Sequence, residues 1–370
     1  MFGYNSTVLP AFSASVLFVI DNFTANRYRF MMESTVAEKD QGAVFAKSPF
    51  HHPDGDIIIR SSDGIHFRMM KLLLSLASPI FKDMFSLPRS ADENIDEFLH
   101  GLPIVDLTES SRTIENLLSS CYPAIYGKTS GLQGLSDVSA LLEAAKKYEM
   151  EETGRAVVPF LTKPQFLAQE PLRVFAIACR YKLDAEAILA AKHTLHRSIL
   201  EDKYSQESEM IDGGTLYRVL QYRNECAEAA MKVAKIHTWI KSDYYAFFDC
   251  RNQDEDRLCT DISSPPSRKY KHGYDRGVSV HIWWMEYMES TRVALQTATC
   301  GETVRDLIRV GPAFAAANKC STCRLTVAAD FRQFVDEFAK EVDDRISMVQ
   351  YLSPHFFSSN FNKISAYRPA

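Results

Sequence analysis

The sequence predicts an α+β fold: a small sheet capped by helices, then a mostly α-helical extension and a C-terminal helical region. Three observations carry this expectation. The β-branched run Ile57-Ile58-Ile59 faces a second run, Ile65 to Met69, across Ser62-Asp63-Gly64, and an Asp-Gly pair suits the positive-φ positions of a tight hairpin. After Lys71 the apolar residues Leu72, Leu73, Leu76, Ile80 and Met84 recur at about 3.6 residues, the helical period. From Pro171 onward helical spacing persists with only short breaks.

Taken in order, residues 1–50 read as a leader without fixed structure. Val8 to Ile20 is mostly apolar and flanked by the sequons at Asn5 and Asn22. It lacks a basic segment ahead of it and is too short to span a bilayer, which argues against a signal peptide or anchor. His51-His52-Pro53-Asp54-Gly55 is a turn whose histidines are read as solvated. The hairpin follows. Ser78-Pro79 then divides the helical stretch in two, because proline disfavours helix in its predecessor and suits a first turn.

Pro103 to Leu107 is a short strand, and Thr108 or Ser110 can cap a helix carrying Ile114, Leu117, Leu118 and Cys121. The acidic stretch Ala91 to Glu97 and the stretch Gly127 to Gly134 read as loops. Ser136 is the expected cap of a helix whose Val138, Leu141, Leu142, Ala145 and Tyr148 share a face, with Lys146 and Lys147 where cations suit the dipole.

The 161–240 extension carries helices at Leu172 to Cys179, Ile188 to Ile199 and Leu216 to Val233, the last set off by Asp212-Gly213-Gly214. From 241 to 370 the chain is expected to open with the aromatic stretch Tyr244 to Phe248 and the polar loop Ser263 to Gly273. One helix then runs from Ile282 to Leu295 and another from Asp330 through Phe331, Phe334, Val335, Phe338, Val342, Ile346 and Val349.

The residues Asp56, Ile57, Ile59, Gly64, Phe67, Lys71, Leu74, Ser78, Phe81, Met84 and Phe85 resemble the signature of a BTB/POZ domain, of the type that recurs in basidiomycete fungi. Met70 stands where that family usually has a histidine. The likeness continues through Gly101 to Thr108, Leu142 to Tyr148 and Glu170 to Cys179, placing the domain at 51–160. It implies a homodimerising protein-interaction module, and in many relatives an adaptor for a cullin ubiquitin ligase or a transcriptional partner. The interaction motif it implies comprises Asp56, Phe67, Lys71, Leu74, Ser78, Phe81, Met84 and Phe85. Their apolar members also sit at spacings that would bury them whatever the protein did. Exposed members of the Leu72 to Leu87 region are the expected anchors of a two-fold contact.

With 46% apolar and 24% charged residues, the 370-residue chain has the composition of a globular protein that folds around its own core. A net charge of −5 argues against a general nucleic-acid binder. The basic loop Arg268, Lys269, Lys271, His272 and Arg276 reads as a solvated loop. The eight cysteines are spread along the chain as reduced thiols of the cytoplasm or nucleus, without a disulfide framework.

Cys320-Ser321-Thr322-Cys323 is the one compact ligand-type motif. Its two thiolates could hold structural zinc ahead of a helix, with Cys250 the weaker further ligand; Cys259, Cys300, His237, His272 and His281 also lie in the C-terminal third. An inert thiol pair and a redox pair compete with that reading. His193 and His196 are read as a solvated pair. No nucleophile elbow, phosphate loop, dinucleotide fingerprint or zinc-protease helix is present in the sequence, and the chain reads as non-catalytic. An adaptor is the leading function. The rivals are a BTB-dimerised nuclear regulator and a zinc-stabilised scaffold.

Overall fold

A computed structural model describes residues 43–87, 98–122, 131–240, 270–271, 277–278, 281–320 and 323–349. A mixed five-stranded sheet, in the order β1-β3-β2-β5-β4, is built from β1 (Val44–Phe45), β2 (Ile57–Arg60), β3 (Ile65–Met69), β4 (Phe98–Leu99) and β5 (Leu102–Asp106). β2 and β3 form the expected hairpin, with Ile59 opposite Phe67 and Gly64 at φ 82°, a conformation glycine adopts without a side-chain clash. β2 also pairs in parallel with β5. As an inner strand it is buried on both faces, which is why three consecutive isoleucines occupy it instead of an alternating pattern.

Helices α1 (Lys71–Ala77) and α2 (Pro79–Ser86) follow the hairpin. Asp56 accepts the Lys71 amide N–H at 2.7 Å, so the residue before β2 caps the helix after β3. Ser78 ends one helix and starts the next: its hydroxyl accepts the Phe81 N–H at 3.1 Å and donates to the Tyr148 carbonyl at 2.5 Å. α3 (Ser111–Ser119) is capped by Ser110, as expected, and also by Asp63 from the hairpin turn, which takes the Ser111 N–H at 2.7 Å and its hydroxyl at 2.6 Å.

α4 (Leu135–Lys147), α5 (Glu151–Leu161), α6 (Pro164–Gln169), α7 (Pro171–Arg180) and α8 (Asp184–His193) continue the layer. Short 3-10 turns then lead to α9 (Gly213–Lys235), whose first amides Asp212 caps. The C-terminal region holds α10 (Ile282–Ala294), α11 (Gly301–Arg305), α12 (Leu307–Ala317) and α13 (Cys323–Ser347).

Several expectations are corrected. The structured chain begins before residue 51: β1 pairs in parallel with β3, and Phe50 is 4% exposed against Phe67 and Tyr122. Two-residue strands carry too little pattern to be read locally. Ser136 does not cap α4; Gly134 holds the cap position, Asp137 takes the Gln133 N–H at 2.7 Å, and the Ser136 hydroxyl instead accepts from Arg173 at 2.6 Å. His51 is exposed, as expected, and sets its ring edge-on to Phe45 with centroids 4.5 Å apart.

Further along, the last helix begins at Cys323, seven residues before Asp330, and α11 and α12 were not foreseen. Within the expected polar loop, Tyr270–Lys271 pairs with Gly277–Val278 as a two-stranded ladder, β6 and β7. The acidic stretch 91–97, the aromatic stretch 244–248 and residues 1–42 lie outside the described residues.

Two cores result. The first runs from Phe50 to Cys226 and joins the sheet, α1 to α8 and the first half of α9. The second is aromatic: Trp283, Trp284 and Tyr287 of α10 meet Phe331, Phe334 and Phe338 of α13, with Ala230, Val233 and Ala234 of α9 along its side. Gly301 lets α11 approach α13 closely, because a Cβ there would lie 2.9 Å from the Ala339 carbonyl oxygen. The Gly301 N–H donates to Asp343 at 2.7 Å across that contact.

Candidate functional site

The motif residues divide by exposure into a scaffold and a surface. Phe67, Leu74, Ser78 and Phe81 are 0–1% exposed. Phe81 stacks on Tyr148 at 4.7 Å and on Phe85 at 6.0 Å, so the α1–α2 pair is clamped onto α4 and the turn that follows it. Met84 and Phe85 are half-buried against the same core. Asp56 and Lys71 act through the backbone cap described above.

Four of the eight motif residues are therefore sealed inside and cannot touch a partner in this conformation. The exposed side chains are Leu72 at 69%, Leu76 at 77% and Leu87 at 69%. Leu72 and Leu76 stand four apart on α1, where helical geometry puts them on one face. A contiguous apolar face held on a rigid helix pair is the usual form of a protein-binding surface.

Beside it runs a groove of about 1100 Å³, lined by Leu76, Ala77 and Pro79 on one wall and Leu142, Met150 and Tyr181 on the other. Its rim carries Lys146, Glu149, Glu151, Glu152 and Arg155, a mixed-charge border around an apolar floor. Glu109, under the end of α4, accepts from Lys147 at 2.7 Å and from the Tyr148 hydroxyl at 2.8 Å. Burial alone would raise its carboxyl, but those two donors outweigh it and hold the group below the usual range. Burial first, and then the Glu109 carboxylate that accepts its hydroxyl, push the Tyr148 phenol up. These bonds tie the end of α4 to the segment between β5 and α3.

Residues 51–165 match the family described as BTB/POZ domain. This segment is a BTB/POZ domain. The match covers β2 to β5, α1 to α5 and the first residues of α6, leaving β1 outside it, and it speaks to the domain and not to a taxon. No curated protein is similar enough to match the chain. BTB/POZ domains are non-catalytic modules for protein–protein interaction and often dimerise, and here the domain is followed by a helical region.

The extension is locked to the BTB/POZ domain by Arg173 of α7. Its guanidinium reaches Glu207 at 2.8 Å, Glu170 at 2.9 Å and Ser136 at 2.6 Å. Glu207 is 6% exposed; its burial raises the carboxyl, and Arg173 outweighs this and keeps it low. Next along the chain, Arg223 of α9 donates to the carbonyls of Arg197 at 2.8 Å and Thr297 at 3.2 Å, tying the extension to the loop after α10. No helix among the described residues is long and apolar enough to cross a membrane.

Of the other candidate residues, His193 and His196 stack at 5.2 Å at the end of α8, and burial with the neighbouring ring lowers His193. Cys320 and Cys323 are each 1% exposed, and Cys250 lies outside the described residues. No disulfide joins the described cysteines. Burial pushes the Cys121 thiol up to about 11 and that of Cys179 to about 12, which makes both poor nucleophiles. Among the described residues no set of three or more His, Cys, Asp or Glu side chains stands ready to hold a metal ion.

Proposed function

We propose that this protein is an adaptor that self-associates through the α1 face of its BTB/POZ domain and presents a second protein partner to its C-terminal helical region. The observation that carries the reading is the pair Leu72 and Leu76, 69% and 77% exposed on a helix whose opposite side is sealed by Leu74 and Phe81. Exposing two leucines on so firmly anchored a helix is costly in water unless another surface covers them. A stable two-fold contact buries about 1,600 Å², and the neighbouring groove extends the apolar area available to a partner.

The more specific form is a substrate adaptor of a cullin ubiquitin ligase, which rests on the family's habits. The C-terminal helical region is then the substrate-binding part, and its reduced, buried thiols suit the cytoplasm or nucleus.

The test uses the full chain. Light scattering is expected to give twice the monomer mass, and Leu72→Asp with Leu76→Asp is expected to return the monomer while the far-ultraviolet circular dichroism stays unchanged. A monomeric wild type sinks the self-association reading. Calorimetry against the N-terminal region of a cullin then decides the specific form: a Kd near or below about a micromolar, on the order of −8 kcal/mol, supports it, and no binding by the folded dimer removes it.

A further inference from the structure

A buried cluster at the start of α13 belongs to neither large core. Cys320 and Cys323 pack as a separate pair. The Cys323 amide N–H points at Cys320 Sγ over 3.5 Å, which places the Cys320 sulfur against the start of the helix. His281, 4% exposed and immediately before α10, brings Nε2 to 3.7 Å from Cys323 Sγ. Its ring lies nearly parallel to Trp283, with centroids 6.1 Å apart and an interplanar angle of 12°, which helps to set the direction of the imidazole. Cys300, the other described cysteine of this region, faces the Thr303 hydroxyl at 3.4 Å instead and serves as an internal comparison.

Sulfur at about 2.3 Å and imidazole nitrogen at about 2.0 Å from one tetrahedral zinc stand about 3.5 Å apart. The Cys323–His281 separation is close to that edge. We propose that Cys320, Cys323 and His281 are ligands of one divalent cation of the zinc class, held between the start of α10 and the start of α13.

As the side chains stand, the three donors do not yet close on an ion. What closes them is a turn of the Cys320 side chain from the Cys323 amide onto the metal, a rotation between staggered positions of a short side chain. Binding releases one proton from each thiol and takes the imidazole neutral through Nε2. Two thiolates and an imidazole are the soft donor set that selects zinc over magnesium or calcium. Such an ion would clip together two helices whose ligands lie 42 residues apart in sequence, stabilising the aromatic core they share.

The experiment is metal analysis of the full chain purified without chelator, with cobalt(II) exchanged in for spectroscopy. Near one zinc per chain is expected, with cobalt bands of a tetrahedral site and charge-transfer absorption for at least two thiolates. His281→Asn and Cys320→Ser are each expected to weaken metal retention against a competing chelator by about tenfold or more, while Cys300→Ser leaves it unchanged. A folded wild type that takes up no metal from excess zinc overturns the proposal. So does a His281→Asn protein with unchanged affinity and cobalt spectrum. If Cys320→Ser fails to fold, the wild-type cobalt spectrum still decides, because fewer than two thiolates also overturns it.

Discussion

From Phe50 to Cys226 the protein packs largely aliphatic side chains around a sheet and a layer of helices, whereas from Ala230 to Val342 it packs aromatic rings between helices. The first core spreads its contacts over many short elements. The second concentrates them in two long helices, where Phe334 alone meets Trp239, Trp284 and Phe338 within 6 Å. α9 belongs to both: Val219, Tyr222 and Cys226 face the first core and Ala230, Val233 and Ala234 the second. One continuous helix thus makes two differently built cores into neighbours with a shared wall, and their independence becomes a measurable quantity.

The chain's three tryptophans, Trp239, Trp283 and Trp284, all pack in or against the second core. Tryptophan fluorescence therefore reports the C-terminal region, while circular dichroism reports helices throughout. The largest effect is expected from Phe334→Ala, which removes the ring at the centre of the aromatic cluster and costs about 3–5 kcal/mol. In denaturant titrations the fluorescence transition moves to lower concentration, and the dichroism transition follows it only as far as α9 couples the cores.

Ala227→Pro attacks that coupling directly. Proline in the middle of α9 removes a backbone hydrogen bond and clashes with the preceding turn, at about 3 kcal/mol. The fluorescence and dichroism curves, expected to coincide in the wild type, are expected to separate in this variant. Curves that remain superimposed would show the cores joined by more than this helix.

Ser78→Ala is a smaller lesion confined to the first core. It deletes the cap of α2 and the bond to the Tyr148 carbonyl, for about 1–2 kcal/mol. Because the same serine anchors the helix pair that presents Leu72 and Leu76, the variant is also expected to weaken self-association without touching either leucine.

The smallest effect is the acid dependence of the hairpin turn. Hydrogen bonds from the Ser111 hydroxyl, first among the causes, lower Asp63 from its ordinary 3.8 to about 2. A carboxylate with a depressed folded-state pKa contributes stability that is present above the unfolded value and lost as pH falls through the folded one. The contribution therefore fades between about pH 4 and pH 2. Asp63→Asn is expected to flatten that limb of a stability-against-pH curve while leaving the neutral-pH fluorescence unchanged.

What the sequence determined by itself was local. The Asp63-Gly64 turn, the Ser78-Pro79 break, a cap at Thr108 or Ser110, the Asp212-Gly213-Gly214 break and the aromatic stripe of α13 each depend on residues within a few positions of one another, so spacing alone reveals them. The resemblance of the 56–85 stretch then placed the domain. Tertiary structure decided what depends on distant partners. Asp137 and Arg173 took the role and the hydroxyl expected of Ser136, since Arg173 arrives from a helix 37 residues away. β1 exists only because β3 offers it an edge.

Of the motif residues in the candidate site, the fold buried Phe67, Leu74, Ser78 and Phe81 and left the neighbouring Leu72 and Leu76 outside. Helical period predicts which residues share a face but not which face meets water; that is set by the sheet and α4 packing against one side only. His281 came to Cys323 the same way, through the packing of α10 on α13, an encounter that sequence spacing does not encode.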